Sequence, residues 1–507
     1  MPAKVYLVGA GPGDPGLLTL KGRALLERAG CVIYDFLVSE ELLRCVPADC
    51  EKVFAGKRAG RHVMTQDEIN RLMIERSRAG TLVVRLKGGD PFIFGRGGEE
   101  AAALAQAGVP FEVVPGVSAG SSVPAYAGIP LTHRGLSSSV TFLTGHDDAS
   151  GLESLKPEDA REARTGTLVF FMGARNLPEI TAALIDQGRA ACTPAAVIRW
   201  GTTSDQEVVT GTLADIASKA AGVHPPALAV VGDVVKLREQ LQWFERLPLF
   251  GKRIVITRPR EQSESFRQML IERGAQPVDL PCIEIREPAS WQPLDGAIGR
   301  LNEFNFLLVT SANGARNFMA RLRACGLDSR SLKGIEIGAI GPATAAELVR
   351  HGVRADFVPR EYRAEGLLEE LGARELQGKS FLIPRARVAR DLVPRVLRER
   401  GARVEVIEAY YVTAPDYRPD HLEALLSPAP HIVTFTSSST ATNFCRLPIP
   451  TEAQRKLAGA TIASIGPVTS DTLRSLGLEV AIEARESTVT GLVAALEDYC
   501  RKKPGIS

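Results

Sequence analysis

A chain of 507 residues is too long for one hydrophobic core and is expected to fold as several domains. Apolar residues make up 45% and charged residues 24%, the balance of a soluble globular protein, and a net charge of +2 argues against bulk attraction to nucleic acid or membrane. Eight cysteines without a C-x-x-C pair and seven histidines without H-x-x-x-H spacing point to reduced cytoplasmic thiols and no metal site.

The chain enters a strand pattern within a few residues, so no leader is expected, and no apolar run reaches the about 18 residues of a membrane span. Residues 4–8 read as that strand, GAGPGDPG (9–16) as a glycine turn, and residues 17–29 as a helix. Gly11, Gly13 and Gly16 satisfy G-x-G-x-x-G, and Asp35 ends the next strand, where a ribose-binding acid would stand. A nicotinamide-dependent oxidoreductase is therefore one reading. Pro12 and Pro15 weaken it, because each removes an N–H from the loop that would cradle a pyrophosphate.

RLKGGDPFIFGRGGEE (85–100) follows a β-branched strand and precedes an alanine-rich helix. Five glycines there suggest backbone close to a ligand at the carboxyl end of a parallel sheet. Phe92, Ile93 and Phe94 interrupt them, which suggests an apolar plug folded over something.

Around this run occur VYLVGAGPGDPGLLTLKG (5–22), YDFLVS (34–39), GKRAGRH (56–62), VVPGVSAG (113–120), AYAGIPLTHRG (125–135), TGH (144–146), TLVFFMG (167–173), Gly201-Thr202 and PALAVVGDVVKLR (226–238). Together they resemble the tetrapyrrole methylases, and within them the uroporphyrinogen-III C-methyltransferases, over residues 1–245. The resemblance implies an α/β pair of domains with S-adenosylmethionine in the cleft between them, and a homodimer formed through this half. By motif position Pro12, Gly88, Gly89, Asp90, Ile93, Ser118, Ala119, Met172 and Gly201 would line the cofactor site; Ser118 stands where relatives often carry threonine. Asp35 and Lys57 would be proton acceptor and donor, against the commoner fates of a helix-capping acid and a solvated lysine. Arg58 and Arg61 would meet substrate carboxylates, and Arg85, Lys87, Arg96 and Arg134 cluster in or beside the same loops.

After a short connector (238–253) the sequence repeats itself. GKRIVITRP at Gly251 recurs as GKSFLIPRA at Gly378, ERGAQPVDLP as ERGARVEVIE, TSANGARNF at Thr310 as TSSSTATNF at Thr436, and IGPATAAEL at Ile340 as IGPVTSDTL at Ile465. Nearly constant offsets mark a duplication, and each copy alternates strand and helix patterns, so two flavodoxin-like α/β lobes are expected. Two lobes with facing loops also describe a ligand-sensing module. Residues 250–505 resemble the uroporphyrinogen-III synthases, which implies that one lobe is built from both ends of this region and the other inserted.

Such synthases close hydroxymethylbilane with loss of water, the last pyrrole inverted, and use no cofactor. Imposed geometry is the main requirement, and hydroxyls at loop tips suit it: Thr310, Ser311, Thr436, Ser437, Ser438 and Thr469. Helix N-capping is the ordinary use of the same residues. Tyr411 matches the tyrosine of relatives thought to assist departure of the hydroxyl, although adjacent Tyr410 leaves the register open by one, and a strand tyrosine most often packs in a core. The two resemblances imply a bifunctional enzyme giving precorrin-2 from hydroxymethylbilane, for the sirohaem or cobalamin branch. Its partners would be small-molecule tetrapyrroles.

Overall fold

The computed structural model describes residues 2–56, 64–145, 166–372 and 374–502. Two compact units emerge: Met1–Arg253 with Gln268–Pro277 and Leu496–Ser507, and Ile254–Arg267 with Val278–Ala495. No helix among the described residues is long and apolar enough to cross a membrane.

The first unit opens with strands β1 (Val5–Gly9), β2 (Cys31–Tyr34), β3 (Glu51–Phe54), β4 (Val83–Lys87) and β5 (Phe111–Val114), paired in parallel in the order β3-β2-β4-β1-β5. Alternate residues face opposite layers. Val8, Val32, Val84 and Leu86 pack with Leu25 and Leu26 of the helix Leu20–Leu26. Val5, Leu7, Ile33 and Val83 pack with Ile69 and Met73 of Gln66–Arg78 and Leu104 of Gly97–Gln106. A second, mixed sheet follows: β6 (Val140–Thr144), β7 (Thr167–Phe171), β8 (Pro194–Arg199), β9 (Glu207–Thr212) and β10 (Ala227–Val231), in the order β6-β7-β10-β8-β9. Only the β6–β7 pair is parallel.

Ten strands follow: β11 (Arg253–Ile256), β12 (Gln276–Asp279), β13 (Glu284–Arg286), β14 (Phe306–Val309), β15 (Glu336–Ala339), β16 (Ser380–Ala386), β17 (Arg403–Thr413), β18 (Ile432–Phe435), β19 (Thr461–Ser464) and β20 (Val480–Glu483). They form two sheets, β12-β11-β18-β19-β20 and β13-β17-β16-β14-β15. The first has the flavodoxin order 2-1-3-4-5. The second repeats it as β17-β16-β14-β15, with β13 added antiparallel at the edge. The opening strand of each sequence repeat pairs with the TS-bearing strand of the other: β11 with β18, and β16 with β14. The lobes therefore interleave the repeats, as the resemblance implies.

One feature of the first sheet departs from its apolar pattern. Arg85 and Lys87 of β4 are both 4% exposed, and Glu100, brought against them by the helix Gly97–Gln106, is fully buried. Arg85 Nε lies 2.9 Å and Lys87 Nζ 3.0 Å from the Glu100 carboxylate, and Gln66 Nε2 donates to it at 3.2 Å. The two cations are thus core residues rather than members of a carboxylate-binding rim. Removing one partner of a buried pair strands the other, at about 3–5 kcal/mol. Glu100→Ala should lower the urea stability of the protein by about that much, whereas Glu99→Ala, at an exposed pair with Arg96, should barely move it.

Candidate functional site

The carboxyl ends of β1, β4 and β5 meet backbone to backbone. A Cβ on Gly9 would stand 2.4 Å from Gly116 Cα, and one on Gly116 only 2.3 Å from Gly89 O. No side chain fits at either position. Gly11 and Gly89 exchange both backbone hydrogen bonds, at 3.2 and 2.7 Å, zipping the first glycine loop to the central one. The Asp90 carboxylate joins the third loop, accepting from Phe92 N at 2.8 Å and Gly116 N at 3.0 Å. Ser118 caps the helix Ala119–Tyr126 by accepting from Gly120 N.

The second sheet reaches the same place. Asp14 N donates to Thr202 Oγ1 at 3.1 Å, Tyr126 Oη donates to Asp14 Oδ2 at 2.6 Å, and Gly201 packs on Val123. Pro12, Gly88, Gly89, Asp90, Ser118, Ala119 and Gly201 are thereby brought together. Ile93 and Met172 lie beside them, linked through Phe94 and Phe171, whose ring centroids are 4.9 Å apart. This network also answers the dinucleotide reading. Gly11 N–H is spent on Gly89, Asp14 N–H on Thr202, and Gly16 N–H on Asp14 Oδ1, so a pyrophosphate would find the donors taken.

Strain gathers at these loops. Among the described residues, the non-glycines with positive φ are Phe94 (50°), Arg96 (59°), Met172 (57°), Trp200 (47°) and Thr202 (71°), all on the loops just named. Left-handed backbone is costly for such residues and is typical of ligand sites. The apolar plug, however, is not buried. Phe92 and Phe94 are 56% and 43% exposed, and Phe36, Leu37 and Met172 join them in an open apolar rim.

Asp35 sits at that rim. A Cβ on Gly88 would lie 3.7 Å from its Oδ1, and Arg85 Nη2 stands 3.8 Å from its Oδ2. Its Oδ1 accepts from Leu37 N at 3.0 Å, fixing the carboxylate by its own turn. Arg85 is inside, with its Nε on Glu100, and offers Asp35 a positive charge from below. Burial, with the Arg85 charge beside it, pushes the Lys87 ammonium below its usual range. Lys57, Arg58 and Arg61 lie outside the described residues. Sequence reasoning missed Tyr126, Thr202 and Gln206, whose Oε1 accepts from Thr202 N; each looks like ordinary core chemistry until the fold sets Tyr126 and Thr202 on Asp14 and Gln206 on Thr202.

In the second unit the chosen hydroxyls divide between two sheet edges. Thr310 and Ser311 follow β14, and Ser311 Oγ accepts from Gly314 N and lies 3.0 Å from Tyr410 Oη. Thr436 and Ser437 follow β18, and Ser437 Oγ accepts from Thr440 N. Both serines thus cap helices. Thr469 is buried in the first turn of the helix Pro467–Ser475, beside Ser438, whose Oγ donates to Val468 O. A bulge decides how the tyrosines divide: Arg385 pairs with Glu408 but Ala386 with Tyr410, leaving Ala409 over. Ala409 and Tyr410 both turn into the core, and Tyr411 points the other way, its ring 4.6 Å from the Arg387 guanidinium.

Comparison with known proteins bears on both units. Residues 4–217 match the family described as tetrapyrrole (corrin/porphyrin) methylases, and residues 264–494 the family described as uroporphyrinogen-III synthase HemD. A porphyrin biosynthesis protein HemD of Ruminiclostridium josui is 36% identical over 97% of both chains. A siroheme synthase of Pseudomonas entomophila is 53% identical over 48% of this chain, which spans 52% of that relative's length. A solved uroporphyrin-III C-methyl transferase of Thermus thermophilus, complexed with S-adenyl homocysteine, is 43% identical over 46% of this chain and 100% of its own, with a TM-score of 0.40.

The Tyr126–Asp14 bond predicts a pH dependence. Burial first, and the Asp14 carboxylate second, hold the phenol above its ordinary value of 10.0. The unfolded chain then loses this proton before the folded one does, so the stability involved is intact below pH 10 and lost as pH rises past it. Alkaline unfolding followed by circular dichroism should show that loss in the parent and a smaller one in Tyr126→Phe.

Proposed function

Because this chain belongs to the family that joins a tetrapyrrole methylase to a uroporphyrinogen-III synthase, we infer that it makes uroporphyrinogen III from hydroxymethylbilane and methylates it twice. The product is precorrin-2. The observation that carries this reading is the end-to-end match to one relative, with both families found consecutively on the same chain. We place the methyltransferase in residues 1–245 and the synthase in residues 250–505, and expect a homodimer through the former and a cytoplasmic setting.

S-adenosylmethionine supplies an electrophilic methyl group on a sulfur that leaves uncharged, chemistry that calls for no metal. The glycine cradle fits such a group, since a Cβ at Gly9 or Gly116 would collide with backbone where the loops converge. Pro12, Gly88, Gly89, Asp90, Ile93, Ser118, Ala119, Met172 and Gly201 would hold it. Asp90 would do so indirectly, because its carboxylate is engaged by Phe92 N and Gly116 N. The exposed apolar rim of Phe36, Leu37, Phe92, Phe94 and Met172 offers a tetrapyrrole a face to lie on and keeps water from the reacting carbon. Asp35, one loop from Gly88, takes the pyrrole proton or holds a pyrrole N–H. Lys57 would return a proton, and Arg58 and Arg61 would receive rim carboxylates.

In the synthase half the main task is to hold a reactive bilane in the geometry that inverts its last ring. Thr310, Ser311, Thr436, Ser437 and Thr469 lie at the carboxyl edges of the two sheets and would hold it, and Tyr411 on β17 would assist loss of the hydroxyl.

Purified protein given hydroxymethylbilane and S-adenosylmethionine under anaerobic conditions should yield a ring two methyl groups heavier than uroporphyrinogen. Only type I ring would sink the synthase reading, and unmethylated type III ring the methyltransferase reading. Asp35→Asn should cut methylation by about 10²–10⁴-fold while ring closure continues. A variant that methylates like the parent removes Asp35 from the mechanism.

A further inference from the structure

The duplication places an arginine at the same point in each repeat. Arg258 is the penultimate residue of GKRIVITRP and Arg385 that of GKSFLIPRA. In the fold each stands at the carboxyl end of its repeat's first strand, one strand from a Thr-Ser loop. Ile256 pairs with Thr434, which sets Arg258 opposite Thr436, and Leu307 pairs with Leu382, which sets Arg385 opposite Thr310. Carboxyl ends of parallel strands are where open α/β sheets receive ligands.

The two arginines are occupied differently. Arg385 is closed off: its Nη2 lies 3.1 Å from the Asp391 carboxylate, and its Nη1 donates to Arg390 O at 2.9 Å. Arg258 has no carboxylate partner among the described residues. Its hydrogen bond is a long one of 3.5 Å to Gln262 Oε1, and Gln262 Nε2 reaches Asn313 Oδ1 at 3.4 Å. Asn313 lies in the first turn of the helix that Ser311 caps, so Arg258 stands where the carboxyl edges of the two lobes approach each other. The guanidinium is half-buried, and burial depresses its basicity with no opposing acid among the described residues. A cation held partly out of water, with its planar fork of donors little used, suits an incoming carboxylate.

We propose that Arg258 is a carboxylate seat of the synthase half, taking an acetate or propionate group of the linear tetrapyrrole and so fixing one end of the chain before ring closure. Arg385, its counterpart by duplication, is locked by Asp391 and leaves the second lobe to hold substrate through hydroxyls and backbone. The asymmetry gives two otherwise similar lobes different grips on the substrate. This rests on the synthase reading given above.

The test measures hydroxymethylbilane turnover by the full chain, with its circular dichroism spectrum and thermal unfolding as the control for folding. Arg258→Gln should raise KM for the bilane about tenfold or more with little change in kcat, since a charge-assisted hydrogen bond is removed from substrate binding. Arg258→Lys keeps the charge but not the fork, and should fall between parent and Arg258→Gln. It decides the matter even if the glutamine variant proves unstable. Arg260→Gln, at an exposed neighbour, should match the parent. A parental KM in both Arg258 variants overturns the seat. A parent that turns over no hydroxymethylbilane overturns instead the synthase reading on which the seat rests.

Discussion

Everything in the first unit depends on three backbones approaching more closely than any side chain permits. Gly9 ends β1, Gly89 and Gly116 follow the neighbouring β4 and β5, and a hypothetical Cβ on Gly9 or Gly116 would fall 2.3–2.8 Å from backbone atoms of the adjoining loops. That contact lets the first loop bond to the central loop through Gly11 and Gly89, and lets Asp90 reach Gly116 N. It also consumes the N–H groups a phosphate would use. The glycine loop that mimics a dinucleotide fingerprint is therefore part of a different cradle, and the five strained non-glycine residues among those described fall on the loops it organises.

A buried charge cluster underlies this surface. Arg85, Lys87 and Glu100 leave one positive charge in excess in the core, and Asp35 lies above them with Arg85 Nη2 3.8 Å from its carboxylate. In a region poor in water such charges act over longer distances than at the surface. The core of the sheet thus supplies the electrostatics of its rim. The second unit reaches asymmetry by another route, exchanging strands between two sequence repeats so that each sheet carries one arginine from one copy and one Thr-Ser loop from the other.

Much of this was legible in the sequence, for identifiable reasons. Glycine runs after apolar strands located the loops, because few other signals combine so much backbone freedom with so fixed a position. The repeat located the two lobes, and Thr-Ser before a helix located their edges. Side-chain partners were not legible. Arg85 and Lys87 looked like rim cations because their acid lies a loop and a helical turn away at Glu100, and only the packing of the helix on β4 brings it near. Phe92 and Phe94 looked like a plug because their exposure could not be read from their apolarity. The division of Tyr410 from Tyr411 depends on one bulged residue, Ala409, which leaves no mark in the sequence. Arg258 escaped notice for the converse reason: an arginine after a strand looks solvated, and its significance is the lack, among the described residues, of an acid beside it.

The methyl-donor site is proposed to depend on close backbone contact at the strand ends. Gly116→Ala tests it most directly, because the added Cβ would meet Gly89 O at 2.3 Å and Gly9 Cα at 2.6 Å, and backbone must move to admit it. Titration calorimetry of the full chain with S-adenosylmethionine should show affinity weakened by about 10²-fold, the order of loss expected when a site is displaced by about 1 Å. Ring closure of hydroxymethylbilane by the same preparation should be unchanged. Parental affinity for S-adenosylmethionine in Gly116→Ala would contradict the account.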